Sequence, residues 1–513
     1  MRTVQQIKNF TAAIFRYLLT FFFSFYTRQL FIDALGIEYL GVAGLMGNVL
    51  GMLAIAELGI GTSIVFSLYK PLAEKDQAKI HLLIDLYRRL YRYIALFVLV
   101  VGVGLMPFLT AISPDLENIP HYNIIYLMFL ANSVIPYFFA YNSTLYTATQ
   151  QEYKLHNIRS VFYVLTMLCT IAVLKLYPDY ILLTACTMML GVISQILIYW
   201  MAHRRWNWLH AKPEGKLAKE DTDVIKKNVR AMVLHKIGDY SINGTSSLII
   251  ANAINLTTVG LMANYTVITQ FLKNIVLQFF NAMIAGAGEL IATSTKEKVY
   301  AVFQEMNFLA FWFFGLAMTG IYFSCNQLIE IWLGEGFTLP HIALLFMSID
   351  IFVMGMRVPP HIIKAGAGMF SNDQYAPLVQ ATINLTAGIY LARQWGVAGV
   401  TFAIMFSGLC VPSWFRPYVI YRDYFKKPFK NYFFTYITYS IALYIIFITL
   451  STTFSLYLPS NIIAEFVYRI AIILIIFHIG IGIFGISLPQ GRACFRRIFN
   501  IISPIFKKTC KKV

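Results

Sequence analysis

Apolar runs of about 20 residues or more, each closed by a short polar stretch, recur from one end of the 513-residue chain to the other. Fourteen such runs predict fourteen helices, near 10–32, 40–69, 93–112, 124–149, 161–178, 180–201, 231–254, 260–290, 305–328, 341–365, 377–394, 397–420, 432–456 and 464–488. Only the polar stretch over 203–230 is long and charged enough to separate halves. The expected organisation is a six-helix lobe over 1–202, a basic cytosolic linker over 203–230, a second six-helix lobe over 231–421, and two further helices with a basic tail over 422–513. The predicted fold class is all-α: a polytopic membrane protein with about 14 transmembrane helices in two pseudo-repeat lobes plus a C-terminal helix pair.

Charge fixes an orientation for this pattern, because lysine and arginine accumulate in cytoplasmic loops. With the N-terminus inside, the loops on that side carry 31 Lys and Arg, whereas the opposite ends carry two, Lys175 and Arg393. Both termini are then cytoplasmic. The longest outer connections, 113–123 and 329–340, are acidic and lack Lys and Arg, which leaves no room outside for a catalytic domain. The opening MRTVQQIKNF resembles a signal-peptide n-region, but Arg16 interrupts the apolar run after it and no small-residue cleavage site follows. An uncleaved first helix is expected.

Composition agrees. Hydrophobic residues are 58% of the chain and charged residues 13%, about half the charge of a soluble domain. The formal net charge of +17 does not indicate nucleic acid, since the basic residues lie in short loops and not on one folded face. The six cysteines form no CxxC and have no histidine at metal spacing. No Walker motif, HExxH or nucleophile elbow occurs. ATP hydrolysis and metal hydrolysis are excluded, and no enzyme is expected.

Candidate chemistry lies in the charges left inside the apolar runs. An ionisable side chain in hydrocarbon costs about 2.5–3.5 kcal/mol on the lenient insertion scale, so it faces a bundle interior or a wet cavity. Eight cations remain there, Arg16, Arg28, Lys236, Lys273, Arg357, Lys364, Arg416 and Arg469, against four carboxylates, Glu57, Asp239, Glu289 and Asp350. Arg416, Arg469 and Lys364 are near enough to helix ends to snorkel. Asp350, Arg357, His361 and Lys364 share one helical stripe, interrupted by Pro359 and Pro360, as in helices broken beside a binding site; the competing reading is an Asp350–Arg357 ion pair that merely holds the bundle. Lys236 and Asp239 share a face with His235, Asn243 and Ser246, and Lys273 with Gln270, Asn274, Gln278, Asn281 and Glu289. The candidate substrate-binding residues are Arg16, Arg28, Lys236, Lys273, Arg357 and His361. Those for coupling or gating are Glu57, Asp239 and Asp350.

An internal repeat adds to this. Gly44-Leu-Met-Gly-Asn returns 216 residues later as Gly260-Leu-Met-Ala-Asn, which suggests a duplicated lobe. The same offset superposes Glu57 on Lys273, and the two opposite charges are a candidate gate latch.

The runs Leu35-Gly-Ile-Glu-Tyr-Leu-Gly-Val-Ala-Gly-Leu, Ala56-Glu-Leu-Gly-Ile-Gly-Thr, Ser67-Leu-Tyr-Lys-Pro-Leu-Ala and Val259-Gly-Leu-Met-Ala-Asn-Tyr resemble the polysaccharide transporter family of Wzx-type oligosaccharide flippases. That family belongs to the multidrug, oligosaccharidyl-lipid and polysaccharide exporter superfamily. The resemblance implies two six-helix lobes in an open V and a bacterial inner-membrane location. It also implies transport by alternating access of an undecaprenyl-diphosphate-linked oligosaccharide, such as an O-antigen, capsule or exopolysaccharide repeat unit. The cationic cavity would offset desolvation of the diphosphate. The expected partners are the lipid-linked oligosaccharide, membrane lipids and other proteins of surface-glycan assembly, with no nucleic acid. No cofactor is expected beyond a coupling proton or sodium ion, at Glu57, Asp239 or Asp350. Two rivals share the architecture, a cation-coupled multidrug exporter and a peptidoglycan-precursor flippase. A membrane glycan polymerase fits the short outer loops poorly.

Overall fold

In the computed structural model the protein is almost entirely helical, with no strand among the residues described, which are 2–53, 57, 60–149, 151–211, 213, 215, 217, 222, 244–367, 369 and 375–509. Eight of the described helices are long and apolar enough to cross a membrane, or ten when each of two bent pairs is counted as one span. The all-α polytopic membrane architecture is therefore present. Most of the run predicted at 231–254 and of the linker at 203–230 lies outside the described residues.

The chain forms two compact units, Met1–Ala263 and Asn264–Val513. The first contains α1 (Arg2–Leu35), α2 (Ile37–Leu53), α3 (Ile60–Glu74), α4 (Gln77–Leu105), α5 (Leu109–Ile112), α6 (Tyr122–Val134), α7 (Ala140–Ala148), α8 (Glu152–Leu176), α9 (Tyr180–Arg205), α10 (Ser246–Ala253) and the first turns of α11 (Leu256–Thr293). Helices start where the sequence supplies a cap: Asp76 accepts from the Lys79 amide and Asp179 from that of Leu182. Of the run predicted over 40–69 the described residues form α2 and α3, with Glu57 lying between them. A sharp break lies at Gly36, where α1 and α2 meet at 116°. Its φ of 91° is open to glycine at little cost.

Helices surrounded by lipid gain little from the hydrophobic effect, since the tails are as apolar as leucine. Close approach and polar contacts hold them together instead. In unit 1, α1 lies along α8, where the Tyr163 hydroxyl donates to the Thr20 carbonyl at 3.2 Å. α4 meets α6 where Tyr126 donates to the Gly102 carbonyl at 2.7 Å. The segments around the two copies of the repeated string pack together here. A Cβ on Gly41 of α2 would lie 2.2 Å from the Leu256 carbonyl oxygen, and one on Gly260 of α11 would lie 2.7 Å from that of Ile37. Side chains from the connections fasten this crossing. Asp115 caps the Leu256 amide at 2.9 Å, and Asn252 donates to the carbonyls of Ala111 and Ile112, each at 3.2 Å.

Unit 2 is built on α12 (Lys296–Leu333), followed by α13 (His341–Met356), α14 (Val358–Gly366), α15 (Ala376–Trp395), α16 (Val397–Cys410), α17 (Pro412–Val419), α18 (Lys430–Leu456), α19 (Ile462–Ser487) and α20 (Pro489–Thr509). Phe308, Phe311 and Phe314 recur every three residues along α12 and are fully buried. Phe311 stacks on Tyr439 of α18 with centroids 4.6 Å apart, Phe314 fills the space that a Gly355 side chain would need, and Gly315 admits Phe477 of α19. The C-terminal pair α18 and α19 is thus docked onto the central helix of unit 2 by aromatic packing, a term worth about 0.5–1.5 kcal/mol per ring pair beyond the contact area. The final helix, α20, lies beyond the predicted spans and was read from the sequence only as a basic tail.

The glycine crossing can be tested directly. Gly41→Ala puts a methyl group against backbone and should cost about 1–3 kcal/mol, seen as a lower Tm of the detergent-purified protein. Gly47→Ala, with nothing within 4 Å of the new carbon, should leave Tm unchanged or raised. Equal behaviour of the two variants would show that the crossing is not tightly packed.

Candidate functional site

Two polar clusters, one in each unit, contain most of the described candidates. In unit 1, Glu57 accepts a hydrogen bond from the Tyr91 hydroxyl of α4. The Tyr87 ring lies 4.3 Å from that of Tyr91, and the Tyr137 ring 5.7 Å from it. Tyr87 also reaches Thr144 of α7. Gly61, at the start of α3, makes room for both α4 hydroxyls: a Cβ there would be 3.0 Å from that of Tyr87 and 3.1 Å from that of Tyr91. Among the described residues Glu57 therefore sits beside the hydroxyls of three tyrosines. The sequence reading placed Tyr87 and Tyr91 in a cytosolic loop, because the charges at Arg88, Arg89 and Arg92 lower the hydropathy there. In the structure α4 begins at Gln77. The i, i+4 spacing of the two tyrosines was the available signal for a shared face.

The remaining candidates of unit 1 stand apart from this cluster. Arg16 is on the α1 face toward α8, within electrostatic range of Arg159 and His156. The buried Nδ1 of His156 has no hydrogen-bond partner. Arg28 is half-buried three turns further along α1. Lys236 and Asp239 lie outside the described residues.

In unit 2 the predicted stripe over 350–364 divides at Arg357, the residue between α13 and α14. Pro359 and Pro360 open the new helix, where a missing amide hydrogen is tolerated. Asp350, one end of the stripe, is 3.6 Å from Lys273 of α11. Arg357 is within electrostatic range of Asp350, Arg416, Tyr432 and Tyr436. Its guanidinium nitrogens lie 3.5 Å from the position a Gly408 Cβ would occupy, an ordinary contact distance, so Arg357 packs against α16. The Arg357 Nε is buried without a hydrogen-bond partner, and so is the Tyr436 hydroxyl. Lys364 is 4% exposed, whereas His361 is exposed. The structure therefore brings Lys273, Asp350 and Arg357 together.

Lys273 and Arg357 thus flank Asp350, and Arg416 is a like-charged neighbour of Arg357. Arg469 shows the opposite condition. It is 2.7 Å from Glu465, donates to the Phe323 carbonyl at 3.1 Å and lies over the Phe454 ring, so its charge is fully used in joining α18 and α19 to α12.

Beside Arg357 is an elongated cavity of about 580 Å³, lined by Phe352, Val353, Trp414, Tyr436, Ile437 and Leu443 among others. Tyr436 belongs to both the cavity wall and the cation cluster. Sequence reasoning missed it by treating the C-terminal pair as an addition to the second lobe. Tyr432, Tyr436 and Tyr439 recur at helical spacing along α18, and that stripe was the available signal. Among the described residues no group of His, Cys, Asp and Glu could hold a metal ion.

No family model matches the sequence, and no curated protein matches it. Solved structures do match in fold. The chain is similar to the lipid II flippase MurJ in an inward closed conformation, with a TM-score of 0.64 at 13% identity over 94% of this chain and 99% of the other. It is similar to an inward-facing multidrug resistance MATE family transporter of the MOP superfamily, with a TM-score of 0.62 at 13% identity over 77% of this chain and 92% of that one. A third structure, the Vibrio cholerae MATE transporter VcmN, gives 0.55 at 13% identity over 83% and 99% of the two chains. At such identities the likeness establishes the fold, which this chain shares with transporters and flippases.

The Asp350 cluster predicts unequal losses. Asp350→Asn removes the carboxylate shared by Lys273 and Arg357 and should cost on the order of 3 kcal/mol, read as a lower Tm. Lys273→Gln should cost less, and the double variant less than the sum of the two. Equal single losses that simply add would show that Arg357 does not depend on Asp350.

Proposed function

We propose that the chain is a lipid flippase of the MOP superfamily, in its Wzx-type polysaccharide transporter branch. In this reading it moves a polyprenyl-diphosphate-linked oligosaccharide, such as an O-antigen, capsule or exopolysaccharide unit, from the cytoplasmic to the outer leaflet of a bacterial inner membrane by alternating access. The observation that carries the reading is the junction at Tyr436. There a phenol on the wall of an apolar cavity lies within electrostatic range of a buried guanidinium, and both have unused hydrogen-bonding capacity. An amphiphile with an anionic head and a long hydrocarbon tail suits both parts.

Magnitudes separate the rivals. A unit charge about 4 Å from Arg357 changes in energy by on the order of 4 kcal/mol at an effective dielectric of about 20. The sign favours a phosphate and opposes an organic cation, which argues against cationic drug export. A peptidoglycan-precursor flippase remains the second reading, favoured by the likeness to MurJ, because a diphosphate would meet the same cluster. The two readings differ in the sugar and not in the charge.

Arg16, Arg28, Lys236 and Lys273 are assigned in this reading to the path of the diphosphate. Among the carboxylates, Asp350 is already engaged by Lys273, whereas Glu57 is held by the Tyr91 hydroxyl. The reading therefore places proton coupling at Glu57, with Asp239 and Asp350 in gating.

The test is leaflet translocation in proteoliposomes at matched insertion, with a diphosphate-linked polyprenyl oligosaccharide and with lipid II as separate substrates. Arg357→Gln should slow transport roughly 10–100-fold, the equivalent of one charge-assisted hydrogen bond of about 1.5–3 kcal/mol. Tyr436→Phe should slow it several-fold. Full activity of Arg357→Gln would remove the cluster from the substrate path, and transport of lipid II alone would move the protein to the second reading.

Coupling is checked by imposing a pH gradient or a sodium gradient in turn. Wild type should respond to the first, and Glu57→Gln should carry out only passive exchange that ignores it. A wild-type response to sodium alone would overturn the proton assignment.

A further inference from the structure

We infer that α20 is an in-plane membrane anchor that binds the headgroups of anionic phospholipids. The helix follows α19, a 26-residue apolar span, after a single break at Leu488, so it starts at a membrane boundary. Its two faces differ. On one, Cys494 is buried, and the Phe495 ring lies 5.6 Å from that of Phe308 and 5.7 Å from that of Trp312. On the same side Gln490 donates to the Tyr439 hydroxyl at 3.3 Å. Arg497 is 2.8 Å from Glu305 of α12, with a second bond at 3.2 Å. This face fastens α20 to the central helix and C-terminal pair of unit 2.

The other face has no such partners. Arg492, Arg496, Phe499 and Asn500 are exposed, and Phe499 is 70% exposed. Their spacing of four, three and one residues keeps them on one side of a helix. The side chains of Arg492 and Arg496 form no hydrogen bond or ion pair within the described residues. An exposed aromatic ring on the same face as two arginines is unfavourable in bulk water and suited to the interface, where the ring enters the acyl boundary and the guanidiniums meet phosphate. Charge selects the occupant. The described part of α20 has three arginines and no carboxylate, Glu305 engages Arg497, and the two that remain require a negatively charged leaflet. The site is independent of the transported substrate, so its test stands apart from the transport reading.

The experiment uses the full-length protein in micelles and in vesicles. Native mass spectrometry after mild delipidation should find phosphatidylglycerol retained by wild type in preference to phosphatidylcholine. Arg492→Gln/Arg496→Gln should lower the retained phosphatidylglycerol several-fold, whereas Arg497→Gln, which releases the inner face, should lower Tm and spare the lipid preference. Equal phosphatidylglycerol retention by wild type and the double variant would overturn the inference. Should the double variant insert poorly, Phe499→Trp gives a second reading. Brominated phosphatidylglycerol vesicles should quench its added emission more than brominated phosphatidylcholine vesicles, and equal or absent quenching would also overturn the proposal.

Discussion

A charge inside hydrocarbon must be neutralised where it stands or left for something that enters, and this constraint sorts the polar residues of the protein. Arg469 exemplifies the first outcome. Its carboxylate is Glu465, one turn earlier on α19, while its carbonyl and aromatic ring come from α12 and α18, so it adds adhesion between α12, α18 and α19. Arg357 is at the other extreme, with a buried nitrogen lacking a partner and Arg416 as a like-charged neighbour. Leaving such a group incompletely satisfied is costly in a low dielectric, and the cost falls at the break between α13 and α14.

The framework around these groups depends on shape more than on apolarity. Because lipid solvates leucine as well as another helix does, unit 2 is held by rings placed into gaps, with Phe314 on Gly355 and Phe477 on Gly315. Unit 1 uses Gly41 and Gly260 for the same purpose, bringing α2 against the start of α11 until backbone meets backbone. The capping contacts from Asp115 and Asn252 then satisfy backbone groups that a lipid environment would leave bare.

Apolar runs made the helices legible in the sequence, and they fell where the runs predicted because a bilayer imposes both length and hydropathy. Three features were not legible, each for a physical reason. The start of α4 was hidden because a helix that emerges from the membrane becomes charged while its hydrogen bonding continues. α20 was hidden because a window average cancels its two opposite faces. The partner of Asp350 was hidden because helical spacing offers Arg357 on its own helix, while the contact with Lys273 depends on how α11 packs on α13, and that packing is tertiary. The tyrosines of α4 and α18 were visible as repeats at helical spacing, yet only the neighbouring helices decide which charge a given tyrosine meets.

The two carboxylates on which coupling could rest illustrate how environment, and not residue type, separates roles. Asp350 is held 3.6 Å from Lys273. Glu57 accepts from the Tyr91 phenol, with the rings of Tyr87 and Tyr137 packed against that of Tyr91. A carboxylate paired with a cation is suited to support, and the one held by hydroxyls is the one the proposed mechanism gives to coupling. That difference is what places proton uptake in unit 1 and anion binding in unit 2 in the proposed mechanism.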